Sequence, residues 1–440
     1  MFALPTDQPV LSRPGRPSAP SVSTVEVRNV TDAEIPQWTR TWASAYLQPL
    51  VEGTADFMRE TIAHDRVIGA FDLGQCVGTY RSSAQELTVP GGGFLPASAV
   101  SKVSVAGTHR RRGLLSRMLG MDLRGALERG EPVAVLDAAE YPIYGRFGFG
   151  PATSMAWFEI DVHRAGLDPR RTTDTGGVET VSADEYRKLA PEAYERFRLD
   201  QAGALRRDAM WWREATGQRV RPGTTWTEPF YAVRRTPDTG EVDGLLCFTA
   251  EETWASMVPR SPLYIRDLIA LSPAAERALL RYAVTVDWVD TVHLPYRAPD
   301  TLAPLWLDDP RAARLTTLSD YMWLRILDVP RTLAARTYGV EGTLVLEVRD
   351  ADGYAAGTWL LHGGPEGASC VRTTQPSDLR LDVGDLARLY LGDEAATRLA
   401  AVGCVEEVHG GALRRADLMF RTGRRSWSPR AAVRSAAGPA

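Results

Sequence analysis

Cysteine is scarce in this chain. Its 440 residues include four, Cys76, Cys247, Cys370 and Cys404, and no two are close enough to form a CxxC pair. That spacing excludes a disulfide framework or a cysteine zinc site and reads as separate thiols in a reducing compartment. The six histidines are scattered and none forms an i, i+4 pair on a helix, so no metal is expected. Long apolar runs are missing as well: nothing approaches the roughly twenty residues that cross a bilayer. The N-terminus lacks the basic start and apolar core of a secretion signal, and the expected location is the cytoplasm. A formal net charge of −4 and the absence of a lysine-rich run leave no footprint for nucleic acid or a membrane surface.

What is present is a globular composition, 44% hydrophobic and 24% charged, in a chain too long for one core. Its most informative stretch runs from Ser101 to Leu119. Val103-Ser104-Val105-Ala106 alternates as a strand, and Gly107-Thr108-His109-Arg110-Arg111-Arg112-Gly113 is a basic turn with glycine at both ends. Leu114, Leu115, Met118, Leu119 and Leu123 then recur at helical spacing. The first turn of a helix offers unpaired N–H groups and the positive end of the macrodipole, which together attract an anion. Arginines beside it add charge that does not titrate away, and a glycine lets a phosphate approach the backbone. Neither GxxxxGK[ST] nor GxGxxG is present in this turn.

The string Arg110-Arg111-Arg112-Gly113-Leu114-Leu115 resembles the acyl-coenzyme A loop of the GNAT (GCN5-related N-acetyltransferase) fold, [QR]xxGx[GA], with Leu115 where a small residue is usual. With Thr108 to Leu115 intact and a second string, Ile143-Tyr144-Gly145-Arg146-Phe147-Gly148-Phe149-Gly150-Pro151-Ala152, the chain resembles the Eis-type (enhanced intracellular survival) N-acetyltransferases. The resemblance runs from about residue 24 to about residue 428. It implies a fold class of α/β and α+β: two GNAT-like mixed-sheet domains, then a sterol-carrier-protein-like α+β domain. It also implies acetyl-CoA as co-substrate, an amine acceptor (aminoglycoside, polyamine or lysine side chain) and a homohexamer.

Along the chain, residues 1–23 are rich in Pro, Ser and Arg and read as a disordered tail. The first domain is expected over 24–162, the second over 163–310, the third over 311–428, and a short tail over 429–440. Thr31-Asp32-Ala33-Glu34 is a capping box for a helix carrying Trp38, Trp42 and Tyr46, read as core ahead of the alternative that the resemblance implies, in which some line the acceptor cleft. In the second domain a strand at Tyr264–Leu271 and a helix at Pro273–Asp287 repeat the organising unit, but the turn Ser272-Pro273-Ala274-Ala275 lacks arginine and glycine. This reads as a duplicated fold without its phosphate loop. Helices are expected at Ala183–Ala190 and Ala204–Thr216, and a strand at Tyr321–Ile326 is expected to open the third domain.

Acetyl transfer needs an amine freed of its proton, a stabilised oxyanion and a protonated leaving thiolate. By the resemblance, Val103, Ser104 and Val105 match the pantetheine-binding strand, with the Val103 N–H on the carbonyl oxygen. Arg111, Arg112, Gly113, Leu114, Leu115 and Ser116 match the pyrophosphate turn, and Ala139 and Glu140 a cofactor-contacting pair. Tyr144 matches the acid, since a phenol stays protonated at neutral pH. The glycines around it are expected to leave room for the cofactor. The base implied is the C-terminal carboxylate, here Ala440, although the chain runs past the usual family end; water or Glu140 is the alternative. Lys102 stands where the family can place an apolar acceptor-pocket residue, and a cation there disfavours polycationic acceptors unless it points away. The competing readings are a silent binding protein using its last domain and an acyltransferase with a longer donor.

Overall fold

The computed structural model describes residues 25–167 and 176–429. The expected N-terminal tail and Ala440 lie outside the described residues.

The first layer is built from β1 (Glu26–Asn29), α1 (Ile35–Ala45), α2 (Thr54–Arg59), β2 (Val67–Asp72), β3 (Gln75–Thr88), β4 (Phe94–Val105), α3 (Leu114–Glu128), β5 (Val133–Asp137) and α4 (Tyr141–Tyr144). Its sheet has seven strands, in the order β1-β2-β3-β4-β5, then Met322–Ile326, then Gly150–Pro151. A second seven-stranded sheet contains Ser154–Asp161 and Ala313–Asp320 beside the strands between Val178 and Arg297. The third has five strands between Gly342 and Glu407, with helices that include Val383–Tyr390 and Ala412–Phe420.

Two strand assignments change. The strand at Tyr321–Ile326 does not open the third layer; Met322–Ile326 lies antiparallel to β5 in the first sheet. Ser154–Asp161, placed before the first boundary, belongs to the second sheet. The two crossing segments bond each other: Ala152 N–H donates to Met322 O at 2.9 Å and Tyr321 N–H to Thr153 O at 2.9 Å. Alternation identifies a strand without naming its partner, so this exchange has no signature in either segment alone. The helix expected at Ala204–Thr216 is confined to Ala209–Ala215, because the preceding residues bond the end of β3 instead. Gly203 N–H donates to Thr88 O at 2.8 Å and Arg206 N–H to Glu86 O at 3.0 Å.

What positions the site is the seat of α3. Leu114, Met118, Leu119, Leu123 and Ala126 face the sheet and are buried. Each buried leucine contributes roughly 1.5–3 kcal/mol. Beside them Asp122 is buried yet satisfied: it accepts from Tyr80 Oη at 2.9 Å, Ser82 Oγ at 2.6 Å, Ser98 Oγ at 3.2 Å and Arg129 at 3.3 Å. Donors from β3, β4 and Arg129, the residue after α3, thus meet at one carboxylate that fixes the helix on the sheet.

Candidate active site

The cleft follows from how β4 and β5 part. These parallel strands pair over Ala97–Ala99 and Val133–Val135, after which β4 continues to Val105 and β5 to Asp137. At the point of divergence β4 carries a bulge. Thr79 faces Ser104 and Arg81 faces Ser101, so Lys102 and Val103 together oppose one residue of β3. Lys102 has φ +55°, a left-handed conformation that costs a non-glycine residue about 1–2 kcal/mol. Thr79 Oγ1 donates to Lys102 O at 2.7 Å, and Tyr46 Oη to Val103 O at 3.2 Å. The bulge turns β4 away from β5 and leaves an edge of backbone facing an opening.

That opening is a cleft of about 930 Å³. Val103, Ser104 and Val105 line one wall; Arg111, Gly113, Leu114, Leu115 and Ser116 line one end; Ala139, Glu140 and Tyr144 line the other wall. The structure therefore gathers most of the residues singled out in the sequence around one space. Lys102 does not line it, and neither does Arg112, whose guanidinium turns back to donate to Thr108 O at 3.2 Å. Arg110 and His109 line the cleft in its stead. His109 Nε2 donates to Asp72 Oδ2 at 3.0 Å, tying the basic turn to the end of β2. Arg111 and Gly113 both take positive φ, +63° and +73°. No side chain caps α3 at Gly113, and a Cβ built there meets nothing within 4 Å. The helix N-terminus thus faces open space with arginines beside it, which fits a phosphate group in charge and in room.

Tyr144 closes the far wall from α4, its ring edge-on to Phe149 with centroids 5.9 Å apart. Burial first, then the neighbouring Tyr46 and Glu140, push its phenol up to about 12. Two of the glycines after it, Gly148 and Gly150, have another purpose than the one expected, whereas a Cβ on Gly145 meets nothing within 4 Å. A Cβ on Gly148 would meet Val383 and Arg325, and one on Gly150 would strike the Gly384 carbonyl. They admit the third layer, not a cofactor, and Arg388 adds a hydrogen bond to Tyr141 Oη at 3.0 Å.

Three domain families match in sequence: an acetyltransferase (GNAT) domain over residues 26–152, a second over 203–326, and a sterol carrier protein domain over 329–429. The N-acetyltransferase Eis of Mycobacterium tuberculosis is 33% identical over 359 residues, 80% of this chain and 85% of that protein. The chain belongs to the Eis-type N-acetyltransferases of the GNAT superfamily. An uncharacterized N-acetyltransferase of Streptomyces griseus is 50% identical over 420 residues, covering 92% of this chain and 99% of that protein. The crystal structure of Eis1 from Mycobacterium abscessus superposes with a TM-score of 0.80 at 32% identity, over 92% of this chain and 99% of that one. The Eis-type fold is therefore two GNAT domains followed by a sterol-carrier-like domain, and the enzyme is an N-acetyltransferase.

Several lining residues of this Eis-type cleft were missed, Ala45, Ile143, Arg146 and Phe147 besides His109 and Arg110, and Tyr46, read first as core, lines it too. Tyr46 had a signal, sharing a helix with Trp38 and Trp42. Those two are buried, while Tyr46 at 45% exposure faces the cleft. Its position at the C-terminal end of α1, where core burial stops, separates it from them.

Proposed function

We propose that the enzyme transfers an acetyl group from acetyl-CoA to an amine by direct attack in a ternary complex. The observation that carries this reading is the run of one continuous cleft from an unpaired strand edge to an uncapped helix N-terminus flanked by Arg110 and Arg111. Acetyl-CoA would supply a thioester and an anionic tail long enough to use both ends. Val103, Ser104 and Val105 would bond the pantetheine arm, and the Val103 N–H would stabilise the oxyanion. Arg111, Gly113, Leu114, Leu115 and Ser116 would hold the pyrophosphate, with Arg110 rather than Arg112 supplying further charge. Ala139 and Glu140 would contact the donor from the other wall.

Tyr144 would protonate the leaving thiolate. With its phenol pushed up to about 12 it carries its proton at every working pH. The proposed base is the Ala440 carboxylate. The last described residues are anchored in the protein, with Trp427 Nε1 donating to Tyr296 O at 2.8 Å and Ser428 buried. The test is mass spectrometry of polyamines, aminoglycosides and lysine peptides incubated with enzyme and acetyl-CoA, repeated with the terminus amidated. The expected result is one acetyl increment per reactive amine, with a rate about a hundred- to ten-thousand-fold lower for the amidated chain. No increment on any amine would overturn the reading, and equal rates would transfer the base to water or Glu140.

A further inference from the structure

On the reading just proposed, the donor occupies β4 from Val103 onward and the acceptor must come from the other direction, past Lys102 and α1. The charge on that side is largely of one sign. Lys102, one of two lysines in the chain, sits in the bulge immediately before Val103. Its ammonium rests 3.8 Å from the centre of the Trp42 ring, one turn before Tyr46 on α1. It therefore does not swing out into solvent. Arg81, on β3 next to the bulge, donates to Thr61 O at 2.6 Å. Arg221 approaches from the segment after Ala209–Ala215 and acts on Lys102 electrostatically.

Among the described residues none of these three cations has a carboxylate within ion-pair distance. One carboxylate, Glu214, acts on Lys102 and Arg81, and a second, Glu60, precedes the Thr61 whose carbonyl Arg81 holds. Both are held by the buried guanidinium of Arg219, which stacks on Phe57 of α2. After that pairing one surplus negative charge remains, and with the Ala440 carboxylate proposed above two stand against three positive ones.

We infer that the acceptor carries an anionic group, a carboxylate or a phosphate, which binds among Lys102, Arg81 and Arg221 while its amine faces Val103 and Tyr144. These half-buried cations lose part of their hydration without gaining a paired carboxylate, and an incoming anion offsets that loss. A polycation would meet repulsion at the same place. The protonation of Lys102 agrees with this. Burial first, then Arg221 and Arg81, push its ammonium down to about 7, with Glu214 opposing. Burial also lowers Arg81. Lys102 is charged below pH 7 and loses its charge above it, so the affinity for an anionic acceptor falls as pH rises through that value. Arg81 faces it from β3, Glu214 from the helix Ala209–Ala215, Arg221 from the segment after that helix, and Trp42 from α1.

The experiment uses amine pairs that differ by one anionic group: cadaverine and lysine, tyramine and tyrosine, ethanolamine and phosphoethanolamine, with spermidine as the polycation. The anionic member of the reactive pair is expected to have a kcat/KM higher by roughly tenfold or more. Carboxylate pairs and the phosphate pair separate the two anions. Lys102→Met and Arg221→Gln should each shrink the advantage to less than about threefold, with acetyl-CoA affinity unchanged by calorimetry, which also reports the fold. Faster turnover of spermidine or of the uncharged-tail members overturns the inference. So does survival of the advantage in both variants, or no reaction by any member of any pair. Failure of the wild-type chain to bind acetyl-CoA overturns the donor reading beneath it instead.

Discussion

The first and second sheets contain the same unit, and in only one of them is the helix N-terminus left open. In the first, β4 pairs in parallel with β5, bulges at Lys102–Val103 and leads into α3. In the second, Ser261–Ala270 pairs in parallel with Val289–Arg297 over Ser261–Tyr264 and bulges at Arg266, between the Cys247 and Phe248 pairings. It then enters helix Pro273–Val284. There the resemblance stops. Ser272 caps that helix by accepting from Ala275 N–H at 3.1 Å, Pro273 has no N–H to offer, and Glu276 places a carboxylate in the first turn. Gly113 does none of this. After the fifth strand each unit has a four-residue helix with proline second: Tyr-Pro-Ile-Tyr ending at Tyr144, and Ala-Pro-Leu-Trp ending at Trp306. The acid candidate of one unit is an indole in the other. A GNAT framework is thus held in both copies, while the uncapped helix N-terminus and the tyrosine are confined to one.

The largest expected effect is at Tyr144. Tyr144→Phe removes the hydroxyl that Trp306 already lacks, and kcat should fall by about a hundred- to ten-thousand-fold with donor affinity intact. Stopped-flow and equilibrium binding separate the two terms, and an unchanged kcat would make Tyr144 a packing residue. Because its phenol is raised to about 12, the wild-type rate should show no loss from this group up to pH 10. A smaller effect is expected at Gly113. Gly113→Ala forces a side chain to φ +73° at a cost of about 1–2 kcal/mol and puts a methyl where an anion would lie. Donor affinity measured by calorimetry should weaken by roughly tenfold. The smallest is at Ser272. Ser272→Ala loses a cap worth about 1 kcal/mol and should lower thermal stability slightly, with donor affinity unchanged. A change in donor binding there would mean that the second unit retains a site.

Much of this was legible before the structure. The basic turn and the helix after it were readable because glycine, arginine and leucine spacing are local signals. The deletion in the second unit was readable from Ser272-Pro273 alone. What was not legible is whatever depends on partners far along the chain. The exchange of Ser154–Asp161 and Met322–Ile326 between sheets is one case. The glycines at 148 and 150 are another, since the residues that need their space lie at 325 and from 383 to 384. Arg112 shows a subtler limit: three consecutive arginines look alike in sequence, and the positive φ at Arg111 decides which way each points.

Calorimetric titration of acetyl-CoA into the wild-type chain and into Arg110→Ala with Arg111→Ala tests the central claim most directly, because it counts sites and locates them at once. The account predicts one donor molecule per chain, bound by the first unit alone, and a loss of roughly a hundredfold in affinity when two charge-assisted contacts are removed. Two donor molecules per chain, or an affinity untouched by the double substitution, would contradict it.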